Sequence, residues 1–105
     1  MVCISVYYAN AFGKKFDHAY YERTHMPLVL DRCKSFGLIR YEIDMGLAGG
    51  APGSSAPFSA VGRLYFNTLT EFQKAFAMHG REIMADVPNY TDIQPEIQVS
   101  QLANS

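Results

Sequence analysis

Four short runs of the chain alternate apolar and polar side chains, and two longer runs between them repeat with helical spacing. In residues 2–8, Val2, Ile4, Val6 and Tyr8 fall on one side and Cys3, Ser5 and Tyr7 on the other, the period of a half-buried strand. Residues 38–46 and 58–66 alternate in the same way. Gly62 in the third run marks a bulge or a point of close backbone approach. Residues 91–100 set Ile93, Pro95, Ile97 and Val99 against Asp92, Gln94, Glu96, Gln98 and Ser100. Pro95 has no N–H for a ladder, so this strand is expected at an edge or with a bulge. The first helical run covers about residues 17–35, with Asp17 as its N-cap and Gly37 as its stop. The second starts at Thr68 or Thr70, carries Leu69, Phe72, Phe76, Ile83 and Met84, and ends at Val87-Pro88-Asn89; Gly80 is expected to weaken or split it. The stretch Leu47–Pro57 is rich in Gly, Pro and Ser and reads as a surface loop.

The order β-α-β-β-α-β predicts an α+β, ferredoxin-like arrangement: one antiparallel four-stranded sheet with both helices on one face. At 105 residues the chain is expected to be a single domain, 1–105. Alternation assigns Val2, Ile4, Val6, Ile39, Tyr41, Ile43, Phe58, Leu64, Phe66, Ile97 and Val99 to the helix-covered face. Cys3, Ser5, Tyr7, Arg40, Glu42, Asp44, Val61, Arg63, Tyr65, Gln94, Glu96 and Gln98 go to the open face. That second set mixes phenols, amides and both charge signs. It suits a solvated surface, or two sheets paired across a two-fold axis around a partly polar barrel. Tyr7, Tyr65 and Arg63 favour the enclosed version. A slip of one residue would exchange the two faces.

Composition narrows the function. A net charge of −1 with no basic stripe gives no footprint for nucleic acid or an anionic membrane. Cys3 and Cys33 form no CxxC motif and no disulfide framework, so reduced, buried thiols are expected. The N-terminus lacks a basic leader, and Met-Pro-Leu-Val-Leu is far too short to span a bilayer. A soluble cytoplasmic protein is the expectation. His18 and His25 are separated by about 10 Å of helix rise, too far to share one metal ion, and His79 lies in another element. No glycine-rich phosphate loop follows a strand. Neither metal nor cofactor is expected.

The chemistry concentrates in Phe16–Leu28. Pro27 cannot donate to the carbonyl of Arg23 and disfavours helical angles at Met26, so a kink or stop is predicted near His25. Helical spacing puts Tyr21 beside His25. An imidazole can take or give a proton near neutral pH, and a phenol one turn back can bind a substrate oxygen. An ordinary helix end whose rings pack on the sheet fits the same spacing. Asp92, heading the last strand, is a candidate to fix the imidazole tautomer or simply to close a turn. Arg63 is suited to a carboxylate or enolate, or to an ion pair with Glu96 or Glu42.

Phe16-Asp17-His18-Ala19-Tyr20-Tyr21 with Thr24-His25-Met26-Pro27-Leu28, and the tail Tyr90-Thr91-Asp92-Ile93-Gln94-Pro95, carry a resemblance over nearly the whole chain. The chain resembles the EthD-like family of the dimeric α/β-barrel superfamily; the first segment is similar to its Tyr-then-His-x-Pro helix signature and the second to its final-strand signature. The resemblance implies a homodimer whose sheets form the barrel, and a small hydrophobic ligand held between helices and sheet or in the lumen. The founding member belongs to a pathway degrading ethyl tert-butyl ether beside a cytochrome P450 system. Similar domains act on polyketide-like or aromatic compounds, and the superfamily includes cofactor-free monooxygenases, lactone isomerases, cyclases and haem enzymes. Shared fold does not transfer chemistry. The expected catalytic residues are His25, Tyr21 and Asp92, and the expected substrate-binding residues Tyr7, Tyr65, Arg63 and Tyr20. The expected activity is His-mediated proton transfer on a hydrophobic oxygenated compound, of oxidoreductase or isomerase/cyclase kind. The alternative is a non-catalytic binding or accessory protein supporting an oxidative pathway.

Overall fold

A computed structural model describes residues 1–103 and joins the four alternating runs into one antiparallel sheet. The strands β1 (Val2–Ala9), β2 (Arg40–Met45), β3 (Phe58–Phe66) and β4 (Glu96–Gln101) lie in the order β2-β3-β1-β4. With the helices α1 (His18–Tyr20), α2 (Met26–Cys33) and α3 (Leu69–Ala85), this is the expected ferredoxin-like α+β arrangement. Residues directly opposite one another across an antiparallel ladder share a face. Val2 faces Phe66, Ile4 faces Leu64, and Tyr41 also faces Leu64, so the apolar alternates of three strands merge into one surface. Tyr21, Met26, Val29 and Cys33 from the first helical run, and Ala75 and Ile83 from α3, complete the core against it. Among the described residues no helix is long and apolar enough to cross a membrane.

Three edges of the predicted pattern differ. The β1–β3 ladder shifts register after Tyr8, setting Ala9 opposite Phe58, and this moves the Phe58 ring to the open face, 5.1 Å from Tyr7. Ile39 precedes β2 and is exposed. The last strand begins at Glu96, directly after Pro95, because a residue without an N–H cannot enter the ladder with β1. Gly62 pairs regularly with Val6 and makes no bulge; it is a close-approach point, since a Cβ there would overlap the Tyr21 hydroxyl.

The first helical run does not stop at His25. Asp17 caps α1 by accepting the Tyr20 N–H at 3.0 Å, and Tyr21–His25 then form one π-helical turn that leads straight into α2. The Met26 N–H reaches the carbonyl of Tyr21, five residues back, and His25 keeps helical angles of φ −68° and ψ −55°. The wider turn accommodates Pro27 near the start of α2, where its missing N–H disturbs least. Such turns inside α-helices are frequent at functional sites. A 3₁₀ turn (Lys34–Phe36) and Gly37 at φ 112° end the segment.

Helix α3 begins with a reciprocal capping box between Thr68 and Glu71. It runs unbroken through Gly80, which packs against the Phe76 ring. A 3₁₀ turn, Val87–Asn89, follows it. The helices leave the β4 margin uncovered: Ile97 and Val99, on the helix side of that edge strand, are 46% and 42% exposed.

Candidate functional site

Four rings from separated parts of the chain enclose the π turn. Tyr8 lies near the end of β1, Phe16 in the loop before α1, Tyr21 opens the π turn, and Tyr90 follows the last 3₁₀ turn. Tyr21 and His25 stack with centroids 5.5 Å apart and planes 15° apart. Tyr90 meets His25 at 4.6 Å and Tyr21 at 5.0 Å. Tyr8 and Tyr90 share a hydroxyl–hydroxyl hydrogen bond of 2.6 Å. Burial keeps all three phenols, Tyr8, Tyr21 and Tyr90, protonated well above their ordinary range.

Behind the imidazole stands a carboxylate. His25 Nδ1 is 2.9 Å from Asp86 Oδ2. The other oxygen, Oδ1, accepts from the Tyr20 hydroxyl at 2.7 Å and the Asn89 amide at 2.9 Å. Asp86 caps the C-terminus of α3, where the helix dipole disfavours an anion, and these donors compensate it. Burial pushes the Asp86 carboxyl up, but the hydrogen bonds from Tyr20, Asn89 and His25 outweigh it and leave the group below its usual value. Burial pushes the His25 imidazole down, against the opposing pull of Asp86. At neutral pH this assigns a neutral ring with Nδ1–H donating to an ionised Asp86. Nε2 is left as a lone pair with no hydrogen-bond partner among the described residues.

That ring borders a cavity of about 30 Å³ between the helices and the sheet. Its wall consists of Val6, Tyr8, Tyr21, His25, Met26, Val29, Leu64, Phe76, Ile83, Met84, Val87 and Ile97. Only three of these, Tyr8, Tyr21 and His25, carry side-chain N or O atoms. The arrangement can accept a proton at Nε2 while a phenol donates to a nearby oxygen.

The predicted residues separate into three groups. His25 and Tyr21 are together at the cavity. Tyr20 is adjacent but turned to Asp86. Tyr7, Tyr65 and Arg63 lie on the other side of the sheet, where the Tyr65 hydroxyl donates to Glu42 at 2.7 Å. There Arg63 pairs with Asp44 at 2.7 Å, and with Glu42 at 3.6 Å. Asp92 does not reach the imidazole: its carboxylate accepts the Lys15 N–H at 2.9 Å and ties down the loop before α1. It sits in the irregular link ahead of β4, and the carboxylate on His25 is Asp86 instead. Asp86, Asn89, Tyr8 and Tyr90 were not foreseen. The available signal was an aspartate at the unfavourable pole of a helix, just before Val87-Pro88, which calls for tertiary donors.

Fold and pairing together define a ferredoxin-like α+β domain in which a buried histidine pairs with a part-buried aspartate at the end of α3. The EthD domain family matches residues 11–94, and the chain belongs to that family. It is similar to an EthD-like protein from Ralstonia eutropha, 37% identical, with 97% of this chain and 91% of that one covered and a TM-score of 0.92. An EthD family protein from Bacillus halodurans is 17% identical, covers 97% of this chain and 98% of its own, and has a TM-score of 0.72. A dimeric ferredoxin-like protein from an uncultured marine organism shares the fold at 9% identity and a TM-score of 0.63, covering 100% of this chain and 97% of its own. No curated protein matches.

Proposed function

We propose that the protein is a small cofactor-independent enzyme that moves a proton on a hydrophobic, oxygenated molecule, with His25 as the base. The observation that carries this reading is the imidazole itself: neutral, oriented through Nδ1 by Asp86, with Nε2 unpaired on a ring that lines the cavity. In the step, the bond from hydrogen to a carbon beside a carbonyl, or to a phenol oxygen, breaks and an Nε2–H bond forms. The electron pair moves to the substrate oxygen, where Tyr21 or Tyr8 donates a hydrogen bond, and Asp86 stabilises the imidazolium. Return of the proton to another atom gives an isomerisation or closes a ring. Tyr20 and Asn89 act as positioning residues through Asp86.

The working unit in this reading is a homodimer paired through the open sheet face, with Tyr7, Tyr65 and Arg63 lining the space between subunits. The dimeric ferredoxin-like relative supports it. Membership of the EthD family is the ground for placing the protein within an oxidative pathway such as ether degradation. Two unpaired cysteines fit a cytoplasmic setting; burial pushes the Cys33 thiol up to about 11, which keeps it unreactive.

Native mass spectrometry of protein from its host identifies a retained small molecule, and turnover of that molecule is then compared in His25→Gln. A loss of roughly 100-fold or more is expected, the ordinary share of a general base. An unchanged rate removes the catalytic role. It would leave the second reading, a carrier of reactive intermediates, which the almost wholly apolar wall equally suits.

A further inference from the structure

We infer that the His25 cavity admits uncharged, flat molecules bearing one acceptor oxygen, takes them in between Met84 on α3 and Ile97 on β4, and rejects carboxylates and phosphates. The inference rests on the proposed location of the ligand but not on the proton transfer.

Charge decides the exclusion. No Lys or Arg lines the cavity, and its nearest ionised group is Asp86, an anion directly behind His25. Arg63 lies across the sheet and is engaged by Asp44 and Glu42, so among the described residues the cavity wall offers no cation to pair a buried anion. An ionised carboxylate moved into such a site loses its hydration without replacement.

Hydroxyl accounting decides the oxygen. Tyr8, Tyr21 and Tyr90 bring three O–H hydrogens, and a chain of three hydroxyls satisfies at most two of them. The Tyr21 ring stacks parallel to His25, so its hydroxyl does not point at Nε2. No other acceptor is hydrogen-bonded to these phenols among the described residues. Tyr90 does not line the cavity, and either hydroxyl of the Tyr8–Tyr90 pair can be the donor; with Tyr90 donating to Tyr8 the spare hydrogen falls on the cavity wall, where a ligand carbonyl supplies its acceptor.

Exposure decides the route. Of the lining residues, Met84 and Ile97 alone are exposed, at 38% and 46%. Both line the cavity, one from α3 and one from the edge strand that the helices leave bare. A space of about 30 Å³ holds a water molecule, whereas an apolar cavity needs roughly 150 Å³ to take benzene. An unbranched methionine at the rim can swing outward without disturbing the core, and Met26 inside offers a thioether to a ring.

Methyl-labelled methionines report the outcome by NMR during titration with acetophenone, its hydrocarbon analogue ethylbenzene, and benzoate at pH 7.5. Acetophenone is expected to shift the Met26 and Met84 methyls and to bind roughly tenfold tighter than ethylbenzene, the worth of one buried hydrogen bond. Benzoate is expected to leave both methyls unmoved. Ile97→Trp, on an exposed edge position that tolerates a large side chain, is expected to weaken acetophenone at least tenfold. Met84→Ala is expected to speed its exchange. His25→Gln is expected to retain binding, so a failed proton-transfer role leaves this inference standing. Conversely, a carboxylate-bearing substrate turned over with His25 dependence overturns the inference and spares the enzyme. Equal binding of benzoate, equal binding of ethylbenzene, no shift with either neutral probe, or an unaffected Ile97→Trp likewise overturns it.

Discussion

The chemistry depends on the tautomer of one ring, and a single carboxylate sets it. Asp86→Asn keeps the shape of the group but can present its NH₂ to Nδ1, which reverses the tautomer and removes the lone pair at Nε2. Turnover of the retained molecule is expected to fall roughly 100-fold or more, in steady-state assays, with the fold intact by circular dichroism. The same pair fixes an acid limit on stability. The folded His25 sits below its unfolded value near 6.5, so between those two values the unfolded chain binds more protons and stability declines as pH falls. Asp86, also depressed, adds a second loss as pH falls below the ordinary carboxylate range. The groups facing His25 are Asp86, Tyr21 and Tyr90, and the two phenols stay neutral through this window. Thermal melts from pH 7.5 to 5 should show a downward slope that flattens in His25→Gln. His25 and Tyr21 were legible in the sequence because helical spacing makes them neighbours whatever the tertiary structure does. Asp86 was not, since its distance of 61 positions from His25 is closed only by the docking of α3's end against the π turn.

Among elements, the π turn and β3 are fitted to each other through Gly62. The Tyr21 hydroxyl occupies the space a Cβ would need. Gly62→Ala is therefore expected to cost about 1–3 kcal/mol, as overpacking does. Tyr21→Phe, lacking the clashing oxygen, should recover most of that loss. A double-mutant cycle in urea checks the coupling; independent, additive effects would separate the two residues. The sequence marked Gly62 as a close-approach point or a bulge, and the approaching group identifies which. It also marked Pro27 as a disturbance of the helix. A missing N–H can be met by stopping, kinking or widening the turn, and local sequence does not choose between these. The helix widens because both flanking segments are anchored, one by the Asp17 cap and the other by Val29 and Cys33 in the core.

For the whole molecule, the open sheet face is the surface the helices leave bare. Tyr65, Cys3 and Ser5 are already buried there by their neighbours, with Arg40 over the Tyr65 ring at 4.1 Å. Pairing of two such faces predicts a dimer by analytical ultracentrifugation, shifted toward monomer by Tyr7→Glu, which sets an unpaired charge against Phe58 at its rim. A monomer at all concentrations would remove the barrel. The order of elements, the sheet, and most of the division between its faces followed from alternation, because a period of two assigns sides once one side is buried. Exceptions arose where the alternation was broken by something non-local: the register shift that turned Phe58 over, and Pro95, which delayed β4 to Glu96. A histidine beside a tyrosine belonged to the sequence alone. Its orientation by Asp86 and the phenols of Tyr8 and Tyr90 around it came from tertiary structure. The reason is physical: spacing along one helix reaches a single turn, whereas a site is assembled from ends of elements that only packing brings within hydrogen-bond range.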